Sequence, residues 1–395
     1  MAIHGGASWL AAVSLSLLAL ALQGAAAETL VPAMFVFGDS TVDVGNNNFL
    51  ERCNVSCKAN YPHFGVDYID QAPTGRFSNG YNLADQLAQL LGFAESPPPL
   101  LSLSNATSLI SRMSTGISFA HGLQNRFRLI TVMLTNNLFP QCTQVVSMAE
   151  QVRNFTNLAR LWASGNDNRS SAADLLSQSL FFISTGSNDL FEYADIGPQN
   201  NDTELLQGLV ASYAAYLKDL YSAGAKRFSV VSTSLVGCCP SQLAIAHDPS
   251  NPKGIDKYGC FAALNNLSGQ LYPMFDAMLQ GLSQELPGMN YSLVNSIKMA
   301  EWVFESPATP TYNFTVLDIA CCGGGQFGAD GCNSSAPLCP NRSNHLFWDD
   351  YHTTEAASRI AASMIFSDPT GLFVHPINVH QLVGGGAAAT VDNTI

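Results

Sequence analysis

The run Ala33-Met34-Phe35-Val36-Phe37, stopped by Gly38-Asp39-Ser40, constrains this chain more than any other stretch. An unbroken apolar run bounded by turn residues predicts a strand buried on both faces, the kind found inside parallel sheets. Open α/β sheets place their ligands at the carboxyl ends of such strands. Gly38 allows a sharp turn there, which predicts that Ser40 stands exposed at the sheet edge as a candidate nucleophile.

The same pattern returns along the chain. Leu180-Phe181-Phe182-Ile183-Ser184 is a second buried-strand run, ending in the turn residues Thr185-Gly186-Ser187-Asn188-Asp189. Phe228-Ser229-Val230-Val231-Ser232 and Tyr291-Ser292-Leu293-Val294 are further strands, and Gly116-Ile117-Ser118-Phe119-Ala120 a short one. Between them, helical spacing predicts helices over 82–91 (stopped by Gly92), 148–162, 204–221 and 258–286. A last helix runs to Ile365, with Thr353 or Thr354 as its cap. Strand and helix in alternation predict a parallel sheet with helices on both faces.

The ends read differently. Residues 9–22 are almost wholly apolar and Ala25-Ala26-Ala27 offers small residues for cleavage, so 1–27 is expected to be a secretory signal peptide. A single domain is expected over 28–382, because no Pro/Ser-rich linker divides it, with a disordered tail over 383–395 around Gly384-Gly385-Gly386. Net charge is −13, from 17 Lys plus Arg against 30 Asp plus Glu. Without basic clusters, nucleic acid and anionic membranes are excluded as expected partners, as is stable membrane insertion.

Behind a signal peptide, the 10 cysteines are expected to form disulfides, with short-range bridges within the Cys53–Cys57 and Cys321–Cys339 loops. Ten Asn-X-Ser/Thr triplets, opened by Asn54, Asn105, Asn154, Asn168, Asn201, Asn266, Asn290, Asn313, Asn333 and Asn341, agree with a secreted, extracellular glycoprotein.

A serine nucleophile needs a base, usually histidine, and a carboxylate to orient it. Asp349 and His352 stand three residues apart, so a tight turn brings the carboxylate to the imidazole. The remaining histidines (His63, His121, His247, His345, His375 and His380) lack that setting and are expected on surfaces or loops. The backbone N–H of Ser40 and the Asn188 amide, both after buried strands, are candidate oxyanion donors. Gly323-Gly324-Gly325-Gln326-Phe327-Gly328 fits a dinucleotide pattern, but no helix is expected after it. No G-x-S-x-G elbow surrounds Ser40 and no H-E-x-x-H zinc motif occurs.

In their order and spacing, Gly38-Asp39-Ser40, Gly186-Ser187-Asn188-Asp189 and Asp349-Asp350-Tyr351-His352 resemble the plant-type GDSL esterases and lipases of the SGNH hydrolase superfamily. The likeness extends to Asp43-Val44-Gly45-Asn46-Asn47, Gly75-Arg76-Phe77-Ser78-Asn79-Gly80, Cys321-Cys322-Gly323 and Pro376-Ile377-Asn378. The resemblance implies a flavodoxin-like, three-layer α/β/α sandwich with a central, mainly parallel sheet. It implies a secreted serine esterase or lipase with Ser40, Asp349 and His352 as triad, and Asn188 lining the oxyanion hole. It also implies no cofactor, no metal, an ester substrate, a monomer and an apoplast or cell-wall location. One block departs from the family: a Ser-Gly-Gly-like loop is replaced by His121-Gly122-Leu123, where Gly122 is the expected third oxyanion donor. That departure keeps two alternatives open, a catalytically impaired extracellular binding protein of the same fold and an acyltransferase using the same site.

Overall fold

Five residues, Met34–Gly38, form strand β1, all of them buried. The computed structural model describes residues 28–53, 55–122, 146–165, 169–196, 201–306 and 312–384. The expected signal peptide, residues 123–145, which include most of the atypical loop of residues 121–139, and 385–395 of the expected tail lie outside the described residues. Val383, counted in that tail, is buried against the core.

The other strands are β2 (Leu180–Ser184), β3 (Arg227–Val231), β4 (Asn290–Val294) and β5 (Val374–Pro376). They lie in the order β1-β2-β3-β4-β5, parallel except for the β4–β5 pair. On the outer side of β1, residues 117–121 extend the ladder: Val36 N–H donates to Ile117 O and Phe119 N–H to Val36 O. Counting that stretch as second in chain order, the parallel strands run 2-1-3-4-5, the flavodoxin-like doubly wound order. The order reverses between β1 and β2, so the switch point at which doubly wound sheets place their ligands lies where Ser40 and Asn188 follow their strands.

Alternate residues of each strand feed opposite cores. Phe35, Phe37, Phe181, Ile183, Phe228 and Leu293 face one helix layer. It comprises α3 (Met148–Gly165), α4 (Arg169–Gln178), α5 (Ser187–Ile196), α6 (Asp202–Ser222) and α8 (Ala262–Glu285). Met34, Val36, Phe182 and Val294 face the other, with α1 (Leu83–Leu90), α9 (Ser296–Glu305), α10 (Glu355–Phe366) and α11 (Val379–Leu382). Two short helices complete the described set, α2 (Ala106–Arg112) and α7 (Pro240–Ala246). Phe155 of α3 sits edge-on to Phe35, Phe37, Phe119 and Phe181, with ring centroids 5.1–5.7 Å apart. Edge-to-face packing adds to the burial of each ring.

Local signals account for most boundaries. Asn82 caps α1 through Ala84 N–H and Asp85 N–H, and Thr354, not Thr353, caps α10. Helix α8 starts at Ala262 rather than 258. Asp256 Oδ1 accepts the N–H groups of Tyr258 and Cys260 there, and Cys260 is disulfide-bonded to Cys238, so the loop's bonds are already spent. The Asn188–Asp189 turn is in fact the first turn of α5, since residues that favour turns also serve helix starts. Gln326–Gly328 is a single 3-10 turn with no helix following, which removes the dinucleotide pattern.

Cys321–Cys339 and Cys322–Cys332 are disulfides, as is Cys238–Cys260. The expected Cys53–Cys57 bridge is not made: Cys57 is disulfide-bonded, but not to Cys53, and Cys53 and Cys239 are both buried. Two groupings with metal-like spacing, His63 with Cys322 and Cys332, and His345 with Cys321 and Cys339, have their sulfurs consumed in these disulfides. No described helix is long and apolar enough to cross a membrane.

Candidate active site

Strand β1 ends at Gly38, whose φ of +145° belongs to glycine, and a Cβ there would overlap Ser184 O of β2. The chain then turns around Asp39: Oδ1 accepts Thr41 N–H at 3.0 Å and the Thr41 hydroxyl at 2.7 Å, while Asp39 N–H donates to Ser184 O at 3.0 Å. Ser40 is therefore held at the strand's carboxyl end. It is buried, 7% exposed, and not the freely exposed serine expected, because the His352 segment closes over it.

The Asp349–His352 segment is a tight hairpin. Trp348 N–H donates to His352 O at 2.7 Å, and Asp349 Oδ1 accepts Tyr351 N–H at 2.9 Å and His352 N–H at 2.7 Å. Its outer strand is pinned by the disulfide-bonded loop, where Cys321 N–H and Cys322 N–H donate to Phe347 O and Trp348 O. Trp348 is fully buried among Phe64, Phe77, Cys321 and Cys322. The hairpin's position is thus set by packing and covalent bonds rather than by the helix it precedes.

Ser40 Oγ lies 2.7 Å from His352 Nε2, and His352 Nδ1 lies 2.9 Å from both oxygens of Asp349. A carboxylate only accepts, so Nδ1 carries the proton and Nε2 is left free to accept from Ser40. Phe77 packs against the imidazole at 4.9 Å between centroids. Burial alone would lower the His352 pKa; the charge and hydrogen bond of Asp349, joined by Asp350 and Asp39, outweigh it and raise it above 6.5. Asp350 is itself raised, by burial and by the Asp349 charge.

Asn188 is half-buried in the first turn of α5, at the same sheet end as Ser40. Gly122 comes close but serves another group. Its N–H donates to Asp43 Oδ2 at 3.0 Å. Asp43 is fully buried and also accepts from Gly45 N–H and Asn46 N–H, at 2.8 and 2.7 Å. A carboxylate removed from water needs every donor in reach, and burial still pushes its pKa up to about 6. The expectation that Gly122 N–H faces an oxyanion is corrected accordingly. Gly122 is sterically fixed as well, since a Cβ would come within 2.6 Å of the Phe77 ring and Asn47 Nδ2.

Two histidines placed on surfaces or loops by sequence are buried: His121 at 1% exposure and His345 at 8%. His121 Nδ1–H donates to Phe119 O at 2.7 Å, and burial lowers its pKa to about 4, so it stays neutral. Asp43, Asn46 and Gln151 also support the site, in roles that their sequence context does not assign. Asn46 Nδ2 donates to Ser118 O and Ala120 O, tying the loop after Ser40 to the outer strand. Asp43 and Asn46 carried a signal, their place in a family-like block; Gln151 carried none.

The GDSL-like Lipase/Acylhydrolase family model matches residues 34–365. GDSL esterase/lipase At5g55050 of Arabidopsis thaliana is 36% identical over 367 residues, covering 89% of this chain and 90% of that protein. GDSL esterase/lipase At1g71250 of the same plant is 30% identical over 401 residues, 97% of each. With that match spanning β1 to α10 and the doubly wound sheet beneath it, the chain belongs to the GDSL-like lipase/acylhydrolase family and is a carboxylic ester hydrolase.

Proposed function

We propose that the protein is a secreted serine esterase working through an acyl-enzyme. The observation that carries this reading is the continuous hydrogen-bonded line Ser40–His352–Asp349, assembled from groups 312 residues apart in sequence. Ser40 Oγ attacks the ester carbonyl as its proton passes to His352 Nε2, and Asp349 stabilises the imidazolium. Ser40 N–H and the Asn188 amide hold the oxyanion. When the tetrahedral adduct collapses, the ester C–O bond breaks and Nε2–H protonates the leaving alcohol. Water then attacks the acyl carbonyl as its proton passes to Nε2, and collapse breaks the bond from Ser40 Oγ to the acyl group, returning that proton to Oγ and releasing the acid. Disulfides and the exposure of every described sequon asparagine support an extracellular location.

A fluorophosphonate probe is expected to label Ser40, located by peptide mapping, and to remove p-nitrophenyl acetate hydrolysis in step with labelling. Hydrolysis that survives complete labelling, or label on another residue, refutes the reading. The Gly122–Asp43 bond favours a second, quantitative reading, an oxyanion hole short of one donor. Losing one such donor costs about 10²–10³ in turnover. A turnover equal to that of the Arabidopsis relatives, measured side by side, rejects it.

The pH profile follows from His352. The base must be neutral to accept the Ser40 proton, and its pKa is raised, so kcat/KM rises with pH through a limb whose midpoint lies above 6.5. Asp350→Asn removes a negative charge that favours the imidazolium and moves that midpoint to lower pH. An unmoved midpoint in kcat/KM profiles of the two proteins contradicts this.

A further inference from the structure

The ladder outside β1 has a defect two residues before the nucleophile. Val36 N–H donates to Ile117 O at 3.2 Å, Phe119 N–H to Val36 O at 2.7 Å, and His121 N–H to Gly38 O at 3.0 Å. A regular parallel ladder would also send Gly38 N–H to Phe119 O. That carbonyl is instead engaged by the ring of His121, at 2.7 Å. Gly38 N–H donates to the side chain of Gln151, in the first turns of α3, at 2.9 Å to Oε1. Gln151 Nε2 donates back to Gly38 O at 2.9 Å. Gln151 is 0% exposed; its Oε1 takes the place of the Phe119 carbonyl for Gly38 N–H, and its Nε2 shares Gly38 O with His121 N–H.

We propose that Gln151 is a positioning residue for the nucleophile, an inference that rests on the reading of Ser40 as that nucleophile. Its paired bonds grip both the N–H and the C=O of Gly38 and so fix the peptide planes on either side of it. Those planes set where the chain leads through Asp39 to Ser40, and therefore where the Ser40 hydroxyl and N–H point. Gly38 supplies no preference of its own, since glycine visits its φ of +145° and many other values freely. From the other side β2 pairs Ser184 with Gly38, and Ser184 O accepts Asp39 N–H. Gln151 touches neither substrate nor triad; it acts through the backbone.

The test compares the full-length wild type with Gln151→Met and Gln151→Glu, reading kcat and KM for p-nitrophenyl acetate and the rate of fluorophosphonate labelling. Gln151→Met keeps the length and loses both bonds. It is expected to lower kcat and the labelling rate about 10²-fold with KM unchanged, the effect of a small misplacement of a reacting group. Gln151→Glu supplies the distinguishing readout. As a carboxylic acid it accepts from Gly38 N–H and donates to Gly38 O, and as a carboxylate it loses the donor. Its kcat relative to wild type therefore rises as pH falls, whereas the relative kcat of Gln151→Met does not depend on pH. The other groups around Gln151, His352, Asp39 and the neutral His121, with the charged Glu150 and Arg153 on the same helix, are common to both proteins and enter the ratio equally. Wild-type kcat in Gln151→Met, or a flat ratio for Gln151→Glu, overturns the inference. The Gln151→Glu arm decides if Gln151→Met fails to fold. A wild type inert to the probe overturns the esterase reading and this inference with it, whereas a reactive wild type isolates the role of Gln151.

Discussion

Ser40→Ala is expected to lower kcat for ester hydrolysis by about 10⁶-fold, with the melting temperature and KM near those of the wild type. The hydroxyl supplies the atom that forms the new bond, and no neighbouring group replaces it. Thr41 is committed to Asp39 and to Ser184 Oγ, and the nearby Cys239 thiol is fully buried, its pKa raised by that burial and by Asp349 and Asp350. Asp349→Asn is the sharper test of geometry. Asn also fits the hairpin, yet its amide can present a donor to Nδ1 and so favour the wrong tautomer, with an expected loss of about 10⁴-fold.

Combining Ser40→Ala with His352→Ala should cost no more than either alone, because a base has no task once its nucleophile is gone. Losses that multiply would mean that His352 serves another step, and Ser40→Ala with wild-type kcat would end the triad reading. Steady-state kinetics on the single and double variants, with thermal melts as controls, separate these cases.

What the sequence made legible here follows from how each part is built. β1, β2, β3 and β4 are buried on both faces, so each appears as a compact apolar run. β5 is a short antiparallel strand, Val374–Pro376, with two exposed residues, and nothing in that pattern distinguishes it from loop. Asp349 and His352 are readable because one hairpin holds both, so their relation is local. Gln151 is the opposite case. Its task arises because His121 engages the Phe119 carbonyl two residues before it, and a helix with mixed polar residues gives no sign of such a defect. The same limit hid the destination of Gly122 N–H, which depends on how many donors a buried Asp43 can gather. Local patterns announce strands, caps and the triad; the partners of single backbone groups emerge only with the packed fold.

Arg76→Met is expected to be the most destabilising single change in the loops around the site, by about 3–5 kcal/mol, through the buried charge it leaves behind. Arg76 and Asp85 form a two-pronged pair, Nε–Oδ2 at 2.7 Å and Nη2–Oδ1 at 2.8 Å, with side-chain exposures of 8% and 1%. Arg76 Nη1 donates to Val44 O and to Thr74 Oγ1, and the Tyr68 ring lies 4.8 Å below the guanidinium. Asp85 also closes the capping box of α1 by accepting Asn82 N–H, and it accepts the Ser96 hydroxyl. Burial alone would lower the Arg76 pKa, but Asp85 outweighs it and raises it, so Arg76 stays a cation. Lysine cannot replace the fork, since a single ammonium cannot match both carboxylate oxygens. Removing the cation leaves Asp85 with neutral donors only. Arg76→Met combined with Asp85→Asn should recover much of the loss, because the cap and the Ser96 bond persist while the unpaired charge disappears. Denaturant unfolding of the three variants reads this directly, and a double variant less stable than Arg76→Met would locate the stabilisation in the ion pair itself. The network reaches the site as well: Val44 O and Asp43 O are held by Arg76 and Asn82, so Arg76→Met loosens the loop that follows Ser40. Its kcat should therefore fall while Asp85→Asn, which keeps the cap, loses less.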